Sequence, residues 1–266
     1  MNGKGGNVYF LSDAHLGAGT DSRERELSLC RLLDTIAADA AQLVLIGDIL
    51  DFWFTYRHVV PRGHIRLLGT LARLSDAGVE IHYYTGNHDM WMFDYLEGEI
   101  GAVMHSSPDI MRFDGHGFLV GHGDGLGHLD RSYDCLKSIF GNRVCQHLFA
   151  LLPPSLTFPI ARHWSDSNKR KHTRASESGP TKRQGEGIES YIKERMRSDD
   201  FDYAVFGHLH CPTSKKIENQ HGVAAVQYVN TGDWLYHRTY AIYSDGELKL
   251  CDWRETNGLS PTATCQ

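Results

Sequence analysis

The chain has 266 residues, 41% of them hydrophobic and 23% charged, ordinary globular values that exclude a disordered chain, a collagen-like repeat and a coiled coil. Its length suits one large α/β domain carrying an insertion. Lys and Arg total 27 against 33 Asp and Glu, a formal charge of -6, so there is no overall basic field to hold nucleic acid and any anion site must be local.

Residues 7–12 (NVYFLS) form a short apolar run ending in Ser-Asp-Ala-His, which predicts a buried strand that delivers polar groups at its carboxyl end. Residues 22–38 place Leu27, Leu29, Leu32, Leu33 and Ile36 at helical spacing. A second strand, 42–46, stops at Gly47-Asp48, and 63–77 returns to helical spacing with Ile65, Leu67, Leu68, Leu71 and Leu74. A third strand, 79–85, stops at Gly86-Asn87-His88-Asp89. This alternation predicts a parallel βαβ sheet with its functional groups at the carboxyl ends of the strands. Beyond residue 108 come shorter β-like runs at 110–113, 117–121, 203–206, 223–229, 239–243 and 247–253, expected to form a second, mostly antiparallel sheet. Between them, 128–198 has helical spacing and no strand signal, too long for a plain loop.

Five predicted strand ends carry the chemistry: Asp13-x-His15, Gly47-Asp48, Gly86-Asn87-His88-Asp89, Gly121-His122-Gly123-Asp124 and Gly207-His208-x-His210. Their donors are hard oxygens and imidazoles, and the neighbouring glycines let backbone approach closely. Such a set suits two divalent cations, which repel at about 3.5–4 Å and need a shared anionic bridge within a mixed carboxylate and imidazole shell. Asp48 is the natural bridge. A period of two along an extended chain would put Asp13 and His15 on one side, and His208 and His210 likewise. One histidine or one Gly-Asp pair would be an ordinary core or turn residue, but five blocks each at a strand end do not arise that way.

With these blocks the chain resembles the calcineurin-like metallophosphoesterases from about residue 7 to 253. The resemblance implies a four-layer α/β sandwich, two mixed β-sheets flanked by helices, over residues 1–255, with a helical lid inserted at about 126–198 and a polar tail at 256–266. It implies two divalent ions, Mn2+ favoured by the carboxylate, amide and imidazole donors. Asp13, His15, Asp48 and His210 would hold the first ion, and Asp48, Asn87, His122 and His208 the second. His88, oriented by Asp89, would stay unligated and act as the catalytic group while water attacks phosphorus.

The insertion bears on the substrate. Residues 148–162 (LFALLPPSLTFPIAR) are apolar and aromatic, and Pro153, Pro154 and Pro159 prevent one continuous helix. Residues 161–183 then hold seven basic side chains (Arg162, Lys169, Arg170, Lys171, Arg174, Lys182, Arg183) against Asp166 and Glu177. An apolar strip followed by a basic cluster suits a ligand with acyl chains and an anionic head, or an anionic membrane surface. A packing face followed by a solvated loop is the plainer alternative. This stretch, with the H-G-D-x-L block at 122–126 and Asp130 eight residues after His122, resembles the UDP-2,3-diacylglucosamine pyrophosphatases of lipid A synthesis. That resemblance implies cleavage of the pyrophosphate bond of an acylated UDP-glucosamine lipid to UMP and 2,3-diacylglucosamine 1-phosphate, in peripheral contact with the inner membrane. It also implies substrate contacts from Asn87, His88, Asp130, Arg162, Asn168 and Lys171. His88 stands where the best-known members of that branch carry Arg. Two other readings stay open: a hydrolase of soluble phosphodiesters or phosphomonoesters, and a non-catalytic binding module, although the latter predicts lost ligands and every position here is filled.

The six cysteines lack a C-x-x-C pair and read as reduced structural thiols. The start lacks the apolar core of a signal peptide, and no run is long enough to span a membrane, so a cytoplasmic protein is expected. Eleven of the 16 histidines fall outside the blocks and read as surface or core residues. Asp51 is a candidate for orienting a ligand, and residues 231–234 (TGDW) for shaping the rim of the site.

Overall fold

A computed structural model describes residues 6–126, 138–159, 182–219, 222 and 225–256. The elements in chain order are β1 (Asn7–Leu11), α1 (Ser22–Ile36), β2 (Ala40–Ile46), α2 (Ile65–Asp76), β3 (Glu80–Tyr84), α3 (Tyr95–Ile100), β4 (Val103–His105), β5 (Asp109–Phe113), β6 (His116–Gly121), α4 (Arg143–Ala150), α5 (Lys182–Arg195), β7 (Tyr203–Phe206), β8 (Thr213–Glu218), β9 (Ala225–Asn230), β10 (Thr239–Ser244), β11 (Glu247–Asp252) and α6 (Trp253–Thr256). Helical residues 138–141 and 154–159 flank α4. The break between α4 and 154–159 falls at the prolines, and Asn142 Oδ1 caps α4 by accepting from the amides of Val144 and Cys145.

Two sheets stack face to face, with strand orders β11-β10-β1-β2-β3-β4 and β5-β6-β7-β9-β8. β1, β2, β3 and β4 run parallel, as the βαβ alternation predicts. The second sheet departs from the expected antiparallel one, because β6, β7 and β9 are parallel and only its edges β5 and β8 are antiparallel. β10 and β11 belong to the first sheet, where β10 pairs with β1.

Strand side chains alternate between layers. Tyr9, Leu11, Leu43, Leu45, Ile81 and Tyr83 pack under α1 and α2, while Val8, Phe10, Val44, Ile46 and Tyr84 face the second sheet. Across that second sheet, Leu119, Ala204, Phe206 and Tyr228 pack against Ile188 and Ile192 of α5. The order is therefore helices, sheet, sheet, helix, a four-layer α/β sandwich. Being covered on both faces is why the central strands read as continuous apolar runs.

Candidate metal centre

The parallel strands β1, β2, β3, β6 and β7 all end at one side of the sandwich, and each hands its following polar block to the same cleft. Two loops are zipped together: the amides of Asp13, His15 and Leu16 donate to the carbonyls of Gly47, Asp48 and Ile49 at 3.1, 2.9 and 3.0 Å. A Cβ at Gly207 would stand 2.5 Å from Ser12 Oγ and 2.6 Å from Asp13 Oδ2, so only glycine lets β7 end this close to β1.

The expected extended D-x-H geometry is not what brings the ligands together. Asp13, His15, Asp48, His208 and His210 all have positive φ, five of the ten such non-glycine residues among those described. Each is a tight left-handed bend rather than a pleat, and strained backbone of this kind persists only where surrounding bonds hold it.

Each carboxylate has one oxygen tied to backbone and one aimed inward. Asp13 Oδ2 accepts from Ser12 Oγ and from the His208 amide at 2.9 Å, while Oδ1 lies 3.3 Å from His210 Nε2. Asp48 Oδ1 accepts the His88 amide at 2.8 Å, while Oδ2 stands 3.3 Å from His122 Nε2 and 3.8 Å from His15 Nε2. His15 and His210 bring their Nε2 atoms within 3.3 Å of each other, and the His122 and His208 rings are 5.1 Å apart. Asp13, His15 and His210 form one compact donor group, Asp13, Asp48 and His122 a second, and His15, Asp48 and His88 a third. Buried Asp13 Oδ1, Asn87 Oδ1 and His122 Nε2 accept or donate no hydrogen bond. Hard oxygens and imidazoles left unsatisfied at the strand ends are what divalent cations require.

Electrostatics prepare the imidazoles differently. Burial pushes His15 and His208 down to about 3, leaving both rings neutral and ready to bind metal. Burial works the same way on His210, yet Asp13 and Asp233 outweigh it and raise that ring to about 9. For His122 the neighbouring Asp48 likewise overcomes burial and holds the ring well above its ordinary value. Asp48 is favoured as the anion, because His122, His88 and His15 more than offset its burial. If His210 and His122 are ligands, an ion must displace their protons, so affinity is expected to rise with pH, about tenfold per pH unit for each proton released. Calorimetric titration with Mn2+ at pH 7 and pH 8.5, in two buffers of different ionisation enthalpy, would read both the slope and the proton count.

The outer contacts revise one expectation and place Asp51 and Asp233, both in stretches the sequence singled out, against the histidines of the cleft. Asp89 does not orient His88. It is fully buried, and its carboxylate accepts from the amides of Ile49 and Gly86 and from Tyr83 Oη, which pins the β2 and β3 loops together. His88 instead has Nδ1 2.9 Å from the Asp51 carbonyl and 3.5 Å from Asp51 Oδ1, and Asp51 Oδ1 also lies 3.4 Å from His15 Nδ1. Asp233, inside the 231–234 stretch, sits 3.5 Å from His210 Nδ1 and 3.1 Å from His237 Nδ1. His122 Nδ1 donates to the Ile46 carbonyl at 2.8 Å, leaving Nε2 for the cleft. These partners fix tautomer and ring direction. Asp130, Arg162, Asn168 and Lys171 lie outside the described residues.

Beside the cleft an aromatic cluster joins the loops after β2 and β3 to the helices around α4. Phe52 packs on Phe158 at 5.2 Å, Phe54 on Phe149 at 4.9 Å, and Trp91 on Phe149 at 4.7 Å and Phe140 at 5.3 Å. Trp91 Nε1 donates to the Phe140 carbonyl at 3.0 Å, and Tyr56 Oη and Thr157 Oγ1 meet at 2.6 Å.

A two-sheet sandwich with this donor set at its strand ends defines a class, and residues 6–212 match the calcineurin-like phosphoesterase family, to which the chain belongs. Within that class, a UDP-2,3-diacylglucosamine hydrolase of Porphyromonas gingivalis is 34% identical over 256 residues, 91% of this chain and 96% of the relative. A protein of the same name from Aeromonas salmonicida is 25% identical over 255 residues, 96% of each chain. Among solved structures, the phosphoesterase Yfce from E. coli aligns at a TM-score of 0.47 with 13% identity, covering 97% of this chain and 98% of that one.

Proposed function

We propose that this chain hydrolyses the pyrophosphate bond of UDP-2,3-diacylglucosamine, giving UMP and 2,3-diacylglucosamine 1-phosphate, with two Mn2+ ions. The observation that carries the reading is the aromatic cluster of Phe52, Phe54, Trp91, Phe149 and Phe158 beside a centre of hard donors. It offers acyl chains an apolar neighbour next to a site suited to phosphate. Similarity to UDP-2,3-diacylglucosamine hydrolases over nearly the whole chain supports the same substrate.

In this reading Asp13, His15, Asp48 and His210 hold one ion, and Asp48, Asn87, His122 and His208 the other. The ions would polarise the phosphate oxygens and acidify the attacking water. The protein supplies the rest. Asp48 carries the shared negative charge, with its second oxygen locked by the His88 amide. Asp51 and Asp233 hold His15 and His210 in register. With His88 Nδ1 bound to the Asp51 carbonyl, Nε2 is the ring atom turned to substrate, where it donates a proton to the oxygen leaving the cleaved P–O bond. The helices around α4 act as the lid over the acyl chains, with Asp130, Arg162, Asn168 and Lys171 of the same insertion as head-group contacts.

The lid's other face suits a membrane. Phe149 and Phe158 point to the cluster, whereas Ile139, Val144, Leu148, Leu151, Leu152 and Leu156 are exposed, Leu151 to 79%. Among the described residues no helix is long and apolar enough to cross a bilayer. An outward aliphatic face next to a sequence carrying seven basic residues between 161 and 183 fits peripheral contact with anionic lipid. Leu148→Glu combined with Leu151→Glu is expected to weaken co-sedimentation with phosphatidylglycerol vesicles at least tenfold, since each leucine contributes roughly 1.5–3 kcal/mol when buried. Unchanged co-sedimentation would remove the membrane from the reading.

The deciding experiment is hydrolysis of UDP-2,3-diacylglucosamine in detergent with and without Mn2+, beside an unacylated UDP-sugar and a chromogenic phosphodiester. Metal-dependent release of UMP from the acylated substrate alone is the expected outcome. Equal turnover of the soluble esters would keep the metal centre and overturn the lid and substrate.

A further inference from the structure

Arg25 belongs to none of the motif blocks, yet its side chain is only 1% exposed. Burying a guanidinium is costly unless its charge and donors are matched. The carboxylate that meets it, Asp21 at 2.8 Å, is itself 51% exposed. The remaining donors go to backbone. Arg25 Nε donates to the Ala14 carbonyl at 2.8 Å, and one terminal nitrogen donates to the carbonyls of His15 at 3.0 Å and Ala18 at 2.7 Å.

Those three carbonyls line one edge of the loop that carries Asp13 and His15. Its other edge is already committed, because the amides of Asp13, His15 and Leu16 donate to the carbonyls of residues 47–49, next to Asp48. The loop is thus held between Asp48's segment on its amide side and Arg25 on its carbonyl side. Ser22, on the same helix, adds a third tie by accepting the Gly17 amide at 2.6 Å. Asp13 and His15 sit at φ of 52° and 41°, a conformation that such residues keep only under outside constraint.

We infer that Arg25 is a positioning residue of the metal centre: its guanidinium clamps the carbonyls of residues 14, 15 and 18 and so fixes the Asp13–His15 ligand pair against Asp48. The inference rests on reading those three side chains as metal ligands. It also explains the choice of residue. Methionine would fill the volume without a buried charge, but it takes the guanidinium donors from the Ala14 and Ala18 carbonyls and leaves the His15 carbonyl with the Ala18 amide alone. Lysine keeps the charge on a single compact donor and cannot span the carbonyl fork.

The test is calorimetric titration of the ion-free protein with Mn2+ for the parent, Arg25→Gln and Arg25→Lys, paired with melting temperatures with and without Mn2+. Weakening of binding by about 10- to 100-fold in both variants, with a smaller Mn2+-induced rise in Tm, is the expected result. A purely structural arginine would lower the Tm of the ion-free protein and leave affinity and the Mn2+-induced rise alone; that pattern overturns the inference, as does full recovery of affinity by lysine. If Arg25→Gln does not fold, Ser22→Ala removes one tie of the same loop, and a several-fold loss of affinity is required of it. A parent protein that binds no Mn2+ would overturn the metal-centre reading itself, an outcome distinct from the failure of the clamp.

Discussion

Asp48→Ala is expected to release both ions and to abolish turnover with them. Its carboxylate faces both halves of the centre, with Oδ2 3.3 Å from His122 Nε2 and 3.8 Å from His15 Nε2. Asp13 also belongs to two of the donor groups, but its Oδ2 is committed to Ser12 and to the His208 amide, and Oδ1 lies 3.3 Å from His210 Nε2. Two cations without a shared anion face each other across a short distance, and their repulsion in a buried site is far larger than in water. The alanine also frees the His88 amide, so some loss of folding stability accompanies the loss of metal. Asp48→Asn separates the two effects, since it keeps the shape and a hydrogen-bond acceptor but removes the charge. Metal analysis after dialysis should find two Mn2+ per parent chain and none in Asp48→Ala. Two ions retained in the alanine protein would sink Asp48 as the bridge.

The sequence was most legible where chemistry and burial coincide. The three βαβ turns and the five polar blocks are apparent because central strands buried on both faces give unbroken apolar runs that end abruptly at Gly, Asp and His. What lay beyond reach was pairing. β10 and β11 read as members of the second sheet, yet β10 lies against β1, since an amphipathic strand carries no mark of its neighbour. β4 is three residues long, and β8 (TSKKIE) is an edge strand whose lysines and burial pattern resemble a loop, as protected edges do.

Contacts at long range were also hidden. Asp89 follows His88 in sequence, but it faces the β2 loop, and the carboxylate near His88 is Asp51, 37 residues away. The stretch after the GD block contains a usable signal, for an aspartate three residues after Asp48 returns to the same side of a bend. Asp233 offers a weaker signal, a carboxylate just past the end of a strand. Arg25 offers none, since a charged residue within an amphipathic helix reads as surface until its acceptors are seen. All three touch the candidate ligands or the loop that carries them, a layer that the motif blocks themselves do not include.

His88→Ala is expected to leave both ions bound and to lower kcat by about 10²–10⁴-fold, the usual range for a proton-donating group. His88 joins His15 and Asp48 in a compact group, yet its Nδ1 is taken by the Asp51 carbonyl and its side chain is 17% exposed, the geometry of a residue facing substrate. Its ring stands edge-on to the His15 ring at 4.7 Å, so the alanine opens space beside His15. Two replacements separate charge from proton transfer. Arginine puts a permanent cation at this position but gives up no proton near neutral pH, whereas glutamine supplies an uncharged hydrogen-bonding group. If His88 acts chiefly on the charge of the transition state, His88→Arg recovers most of the lost kcat; if it protonates the leaving oxygen, neither replacement does, and the loss shrinks for substrates with more acidic leaving groups. A His88→Ala protein that bound one ion instead of two would place His88 among the ligands and end its assignment as the catalytic group.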